Sequence, residues 1–225
     1  VHAVGSLRLA RTKDEVDEYK RYLSFARTLG IKGELVGANE TRALWPLLEF
    51  RDFQAALHTF DDGYTDPAQT SNAFAKAARD AGAEIYRHTR VVGLRRLPNG
   101  EWRIETDKGA ITVEAVVNAA GFWGSEISEM IGHTLPVLAM EHEYLVTEPL
   151  PELAQLSHEM PVLRDLNVPT YVRQERQALL VACYEDHPVF WGLNGIPRDF
   201  GQELLPPDIE RAAPNLEQTY EMVPV

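Results

Sequence analysis

His142 and Tyr144 are the pair whose spacing bears most directly on chemistry. Residues two apart on an extended strand leave the same face, about 6–7 Å from one another. Here they stand between Met140 and Val146 on an otherwise apolar face. An imidazole and a phenol on an apolar wall suit an amine ligand: one takes a proton, the other holds it by a hydrogen bond, and the surroundings tune both. The same spacing also suits two satisfied core residues. Tyr171 and Arg173 repeat the arrangement. An arginine fork matches a carboxylate, or equally a hairpin ion pair with Glu175 or Glu185.

A second chemical feature has no reactive side chain. The apolar run Ala115-Val116-Val117 ends in Asn118-Ala119-Ala120-Gly121, and a helix with Ile127, Met130 and Ile131 on one face follows. Strand, small-residue turn and helix let a backbone approach a dinucleotide, or let strand and helix pack tightly. The chain contains no G-x-G-x-x-G. Its histidines are scattered without metal-ligand spacing, so no metal is expected. Asp61-Asp62 falls among turn formers and reads as a solvated turn. Cys183, the single cysteine, lies in an apolar run and reads as a buried structural thiol.

The elements that must position these residues follow from periodicity. Thr12 and Glu15 form a capping-box signature for a helix from about Thr12 to Leu29, with Val16, Tyr19, Leu23 and Ala26 on one face and Gly30 as the stop. A short helix is expected over Glu40–Leu44. Asp66 caps a further helix, with Pro67 first and Phe74, Ala77, Ala78 and Ala81 on its apolar face. A meander follows: Val91–Leu94, the turn pair Asn99-Gly100, Trp102–Thr106, a turn at Asp107–Gly109, and Ile111–Val113 feeding a buried strand at Ala115–Val117. Val137–Thr147 alternates throughout and reads as one long strand. Thr170–Arg173 and Ala178–Cys183 pair across a turn at Gln174–Gln177. The last stretch, from Asp208 to Met222, is helical with Pro214 breaking it.

The chain has 225 residues and a formal net charge of -12. That sign argues against nucleic acid or an anionic membrane as the main partner, since both need clustered Lys and Arg. No stretch approaches the ~20 apolar residues of a membrane span. The chain opens at Val1 without a signal-peptide pattern or an initiator methionine, and reads as an internal piece of a longer protein.

Several ordered stretches together resemble the FAD-dependent dimethylglycine dehydrogenase family and its sarcosine dehydrogenase relatives. They are Val4–Ala10, Asp62-Gly63-Tyr64-Thr65-Asp66-Pro67, Val117–Trp123, and His142-Glu143-Tyr144-Leu145-Val146-Thr147. Pro161–Leu166, Tyr171–Arg176 and Glu221–Val225 complete the set. The resemblance implies a mixed α+β fold: a partial FAD-binding domain over 66–132, and a substrate domain with a large, mostly antiparallel sheet over 1–65 and 133–225. It implies that Val91 lends its backbone to the adenine, that Ala119, Ala120 and Gly121 pass close to the FAD, and that Tyr144 and His142 are the catalytic pair. Trp123 joins the expected cofactor-binding residues, and Tyr171 and Arg173, on their spacing, are the expected substrate-binding residues. The implied reaction is oxidative N-demethylation of a small N-methyl amino acid such as dimethylglycine or sarcosine. Location would be cytoplasmic in a bacterium and the mitochondrial matrix in a eukaryote.

The chain departs from the family in lacking the N-terminal Gly-rich fingerprint, the flavin-linking histidine and the C-terminal Gly-rich segment. FAD is therefore expected to bind weakly or not at all to these residues alone, and tetrahydrofolate only to a C-terminal module outside them. Ala182-Cys183-Tyr184-Glu185 stands where relatives tend to have Gly-Gly-Tyr-Glu. A catalytically silent binding domain is the alternative for this piece. Exposed apolar surface is expected to drive homo-oligomerisation.

Overall fold

A computed structural model describes residues 1–49, 52–201 and 203–225. In chain order its elements are β1 (Ser6–Ala10), α1 (Lys13–Thr28), β2 (Gly33–Val36), α2 (Ala38–Leu44), β3 (Ala55–Thr59), α3 (Pro67–Asp80), β4 (Val91–Arg96), β5 (Trp102–Thr106) and β6 (Gly109–Val113). There follow α4 (Gly124–Glu129), β7 (Ala139–Glu141), β8 (Tyr144–Val146), β9 (Val162–Asp165), β10 (Thr170–Glu175), β11 (Ala178–Cys183), β12 (Val189–Trp191) and α5 (Ile209–Met222). The fold is mixed α and β. It divides into two compact units. One comprises residues 1–71, 142–188 and 206–225, the other 72–141 and 189–205. These boundaries fall later in the chain than the expected divisions after 65 and 132, and the second unit also takes in a segment near the C-terminal end.

The first unit is built on a seven-stranded sheet in the order β2-β3-β1-β9-β10-β11-β8. Only β1 and β9 pair in parallel; every other neighbour is antiparallel. One face buries Leu7, Leu9, Val36, Ala56, Leu163, Val172, Leu179 and Val181 against Trp45, Met160 and Met222. Burying such side chains is the dominant favourable contribution to folding. Trp45 also donates its Nε1–H to the Pro161 carbonyl at 2.8 Å, so its polar atom is satisfied inside the core. On the opposite face, α1 covers β1 and β3 through Tyr19, Leu23 and Ala26, packed on Ala10 and Leu57. The capping box expected at Thr12 and Glu15 is present. The central parallel pair is clamped where Arg11 Nε and Nη2 donate to the buried Asp165 Oδ2 at 2.8 and 2.6 Å. The Asn167 N–H satisfies the other oxygen at 2.9 Å.

The second unit contains the antiparallel meander β4-β5-β6, the two-stranded ladder β7–β12 and α4. The meander and its turns sit where expected, but Ala115–Val117 is not a strand. No strand among the described residues lies beside it, and Val117 is 87% exposed. Apolar, β-branched residues form a strand only when a neighbour takes their backbone N–H and C=O groups. The apolar side of α3 is likewise uncovered, with Phe74 exposed.

Three further expectations need correction. The stretch 137–147 forms two strands, β7 and β8, because the Glu143 N–H is taken by the Glu185 carboxylate and the Glu143 carbonyl accepts from the Cys183 N–H. The alternation nevertheless persists through the break. Residues 139, 141, 143, 145 and 147 are half-buried, and 138, 140, 142, 144 and 146 exposed. The β10–β11 ladder runs to Glu175↔Ala178, so the turn is two residues long, with Arg176 in the left-handed region at φ 59°. Pro214 does not break α5. It costs the helix one backbone hydrogen bond, while Asp208 caps the start and Ala212, Asn215, Thr219 and Met222 bury one face.

Candidate functional site

Cross-strand register builds the site in the first unit. Directly opposed residues share a face, and one row runs Tyr144, Ala182, Tyr171, Arg164 across β8, β11, β10 and β9. Two residues along, His142 lies beyond Tyr144, Tyr184 beyond Ala182, and Arg173 beyond Tyr171. The result is a cleft of about 610 Å3 whose lining includes His142, Tyr144, Tyr171, Arg173 and Tyr184, with Ala182 as part of its floor. All four side chains that the sequence singled out for catalysis or substrate thus meet in one cleft. They share a sheet face with α1, lying over β8, β11 and β10 whereas α1 sits on β1 and β3. Ala182, with no side chain beyond Cβ, separates the two tyrosines by two strand spacings, roughly 10 Å.

The His142 ring is held. Its Nδ1 lies 3.0 Å from Glu185 Oε2, and the ring stands edge-on to Tyr184 with centroids 5.6 Å apart. Glu185 is buried, with its side chain only 2% exposed. Burial pushes its carboxyl up, but hydrogen bonds from its own backbone, His142 and the Glu143 N–H outweigh that and hold it below the ordinary carboxylate value. The Tyr144 ring is half-exposed, and among the described residues its hydroxyl has no hydrogen-bond partner. Cys183 lies at the back of the cleft, free and buried, its thiol pushed up to about 11 first by burial and then by Glu185 and Glu143.

Arg173 is differently placed from a free carboxylate fork. Its Nη1 donates to Glu175 Oε2 at 2.6 Å and to the Gln174 carbonyl at 3.0 Å. Its guanidinium also lies 4.2 Å from the Tyr64 ring centroid. Tyr64 in turn donates to Glu159 and stacks on His2. Burial, then that carboxylate, push its phenol well up. Arg164, by contrast, sits 5.2 Å over the Tyr171 ring and has no carboxylate partner among the described residues. The stretch Ala182-Cys183-Tyr184-Glu185, which the family resemblance sets at the floor of the site, does contribute Ala182 and Tyr184 to the lining. The contact of Glu185 with His142 and the place of Arg164 behind Tyr171 come only from the register.

The second unit holds its own cleft, of about 940 Å3. Val91, Ala120 and Trp123 line it together with Arg90, Ile127 and Met130. Ala119 and Gly121 are neighbours in the chain but are not part of the lining; Gly121 has φ 58° and open space beside it. Two observations suit a flat heteroaromatic group such as adenine. β4 is an edge strand, so half of its backbone donors and acceptors near Val91 lack a ladder partner. Trp123 Nε1 is buried with no hydrogen-bond partner among the described residues.

Comparison with known proteins gives one answer. The FAD dependent oxidoreductase family matches residues 1–225. The chain is 37% identical to mitochondrial dimethylglycine dehydrogenase of Mus musculus, covering all of the chain and 26% of that protein. It is 34% identical to mitochondrial sarcosine dehydrogenase of Homo sapiens, covering 98% of the chain and 24% of that protein. It thus spans about a quarter of the length of these relatives. Among solved structures, L-proline dehydrogenase from P. horikoshii shares its fold with a TM-score of 0.80 at 24% identity, over 99% of the chain and 56% of that protein.

Proposed function

The chain belongs to the FAD-dependent oxidoreductase family, and on that footing we propose that it is the amine-binding part of an enzyme that oxidatively N-demethylates a small N-methyl amino acid, dimethylglycine or sarcosine. The observation that carries this reading is the cleft in which His142, Tyr144 and Tyr171 face one volume on one sheet face. Relatives at 37% and 34% identity whose names state those two substrates support it.

Each group has a role in that reading. The substrate must present a neutral nitrogen, because its lone pair drives loss of hydride from the neighbouring methyl carbon. His142 accepts the ammonium proton, and Tyr144 donates a hydrogen bond that orients the nitrogen. Tyr171 and Tyr184 supply aromatic faces that exclude water and favour a cationic methylammonium. For the carboxylate, Arg173 lines the cleft and serves only if it releases Glu175, while Arg164 stands behind Tyr171, outside the lining. FAD, when bound, would supply the two-electron oxidation that takes up the hydride, and water would then convert the iminium product to formaldehyde and the demethylated amine. Val91, Ala120 and Trp123 would hold the adenine end. The 225 residues contain no Gly-rich phosphate loop, so this chain alone holds FAD weakly. Tetrahydrofolate would bind only to a C-terminal module outside these residues.

Anaerobic titration of the flavin-loaded full-length protein with dimethylglycine and sarcosine is the test. Bleaching of the flavin band with stoichiometric formaldehyde is expected. No bleaching with either amine would overturn the reading. Micromolar or tighter FAD binding by the 225 residues alone would overturn the division of labour.

A further inference from the structure

We propose that Glu185 is a positioning residue that fixes His142 in the tautomer carrying its proton on Nδ1, so that a bare Nε2 faces the cleft and receives the substrate's ammonium proton. The inference rests on the amine-oxidising reading above and adds to it the group that makes His142 a base.

The two oxygens of Glu185 have two separate partners. Oε1 accepts the Glu143 N–H at 2.7 Å, which is the contact that splits β7 from β8. Oε2 lies 3.0 Å from His142 Nδ1. A carboxylate buried to 2% exposure persists only where donors compensate its lost hydration. An ionised carboxylate is an acceptor and nothing else, so the hydrogen between Oε2 and Nδ1 must come from the imidazole. In a neutral imidazole one nitrogen donates and the other accepts, which leaves the lone pair on Nε2. Nε2 has no partner among the described residues, and the ring, 41% exposed, lines the cleft. Tyr184 stands edge-on to it and restricts rotation about the ring's bond to the strand.

The proton step balances simply. The substrate N–H bond breaks and its electron pair stays on nitrogen. An Nε2–H bond forms, and the resulting imidazolium remains paired with the Glu185 carboxylate. A merely structural Glu185, strapping the break between β7 and β8, would need Oε1 alone.

The test uses the full-length flavin-loaded protein with 15N-labelled histidine, with His142→Gln identifying the signal. Long-range 1H–15N correlation should show wild-type His142 in its neutral form protonated on Nδ1. In Glu185→Gln the amide donates to Nδ1, so the proton should move to Nε2. The limiting rate of flavin reduction should then fall at least tenfold while the melting temperature changes little, because the amide oxygen still accepts from Glu143. Glu185→Asp should restore the wild-type tautomer and part of the rate. A wild-type ring protonated on Nε2, or wild-type reduction rates in Glu185→Gln, would overturn the proposal. If Glu185→Gln failed to fold, the wild-type tautomer would still decide. An absence of flavin reduction in the wild type would count against the N-demethylation reading and leave the tautomer result standing.

Discussion

Removing only the hydroxyl of Tyr144 separates chemistry from packing. That oxygen makes no hydrogen bond among the described residues and its ring is half-exposed, so Tyr144→Phe should leave the melting temperature unchanged. Loss of one hydrogen bond made in the transition state costs on the order of 1–3 kcal/mol, about tenfold to a hundredfold in rate. Stopped-flow flavin reduction and thermal melts on one sample check both halves. An unchanged rate would remove Tyr144 from the machinery. The period-two spacing of His142 and Tyr144 was legible because a strand writes its faces directly into the sequence. The role of Glu185 was not, since its contact depends on β11 being registered against β8. Arg173 shows the limit from the other side. Its sequence admitted both a substrate fork and an ion pair with Glu175, and the folded chain forms the ion pair.

Helix termini and strand partners decide what holds at the level of elements. The cap at Thr12 accepts from the Glu15 N–H at 3.2 Å, and Glu15 Oε2 accepts from the Thr12 N–H at 2.9 Å. Thr12→Ala should therefore cost about 1 kcal/mol, a fall of roughly 2–4 °C in melting temperature for a chain of this size. Differential scanning calorimetry reads it, and no shift would mean that the cap is redundant with the packing of Tyr19 and Leu23. Elements with local signals were legible: α1, the start of α3, the meander and the β10–β11 hairpin. Ala115–Val117 was misjudged because the pattern of a buried strand encodes the need for neighbours but cannot provide them. Pro214 was misjudged for the opposite reason, since a buried helix face outweighs one lost backbone bond.

At the scale of the whole molecule, apolar residues remain uncovered in quantity. Val117, Phe74, Tyr86 and Leu138 are all more than half exposed. Uncovered apolar side chains on this scale favour association, so the 225 residues alone should self-associate and bind a hydrophobic dye. Size-exclusion chromatography with light scattering checks this, and a monodisperse monomer that leaves the dye dark would contradict it. One feature of the seven-stranded sheet also sets the order in which the chain can mature. Its central neighbours β1 and β9 are joined by a clamp whose residues, Arg11 and Asp165, stand 154 positions apart, and most of the second unit is threaded between them. As the ribosome delivers the chain, β1 waits with one edge bare until β9 emerges, while the meander can close on its own through short turns. Until β9 is made, a nascent chain of this design holds β1 in a half-sheet, a state exposed to aggregation.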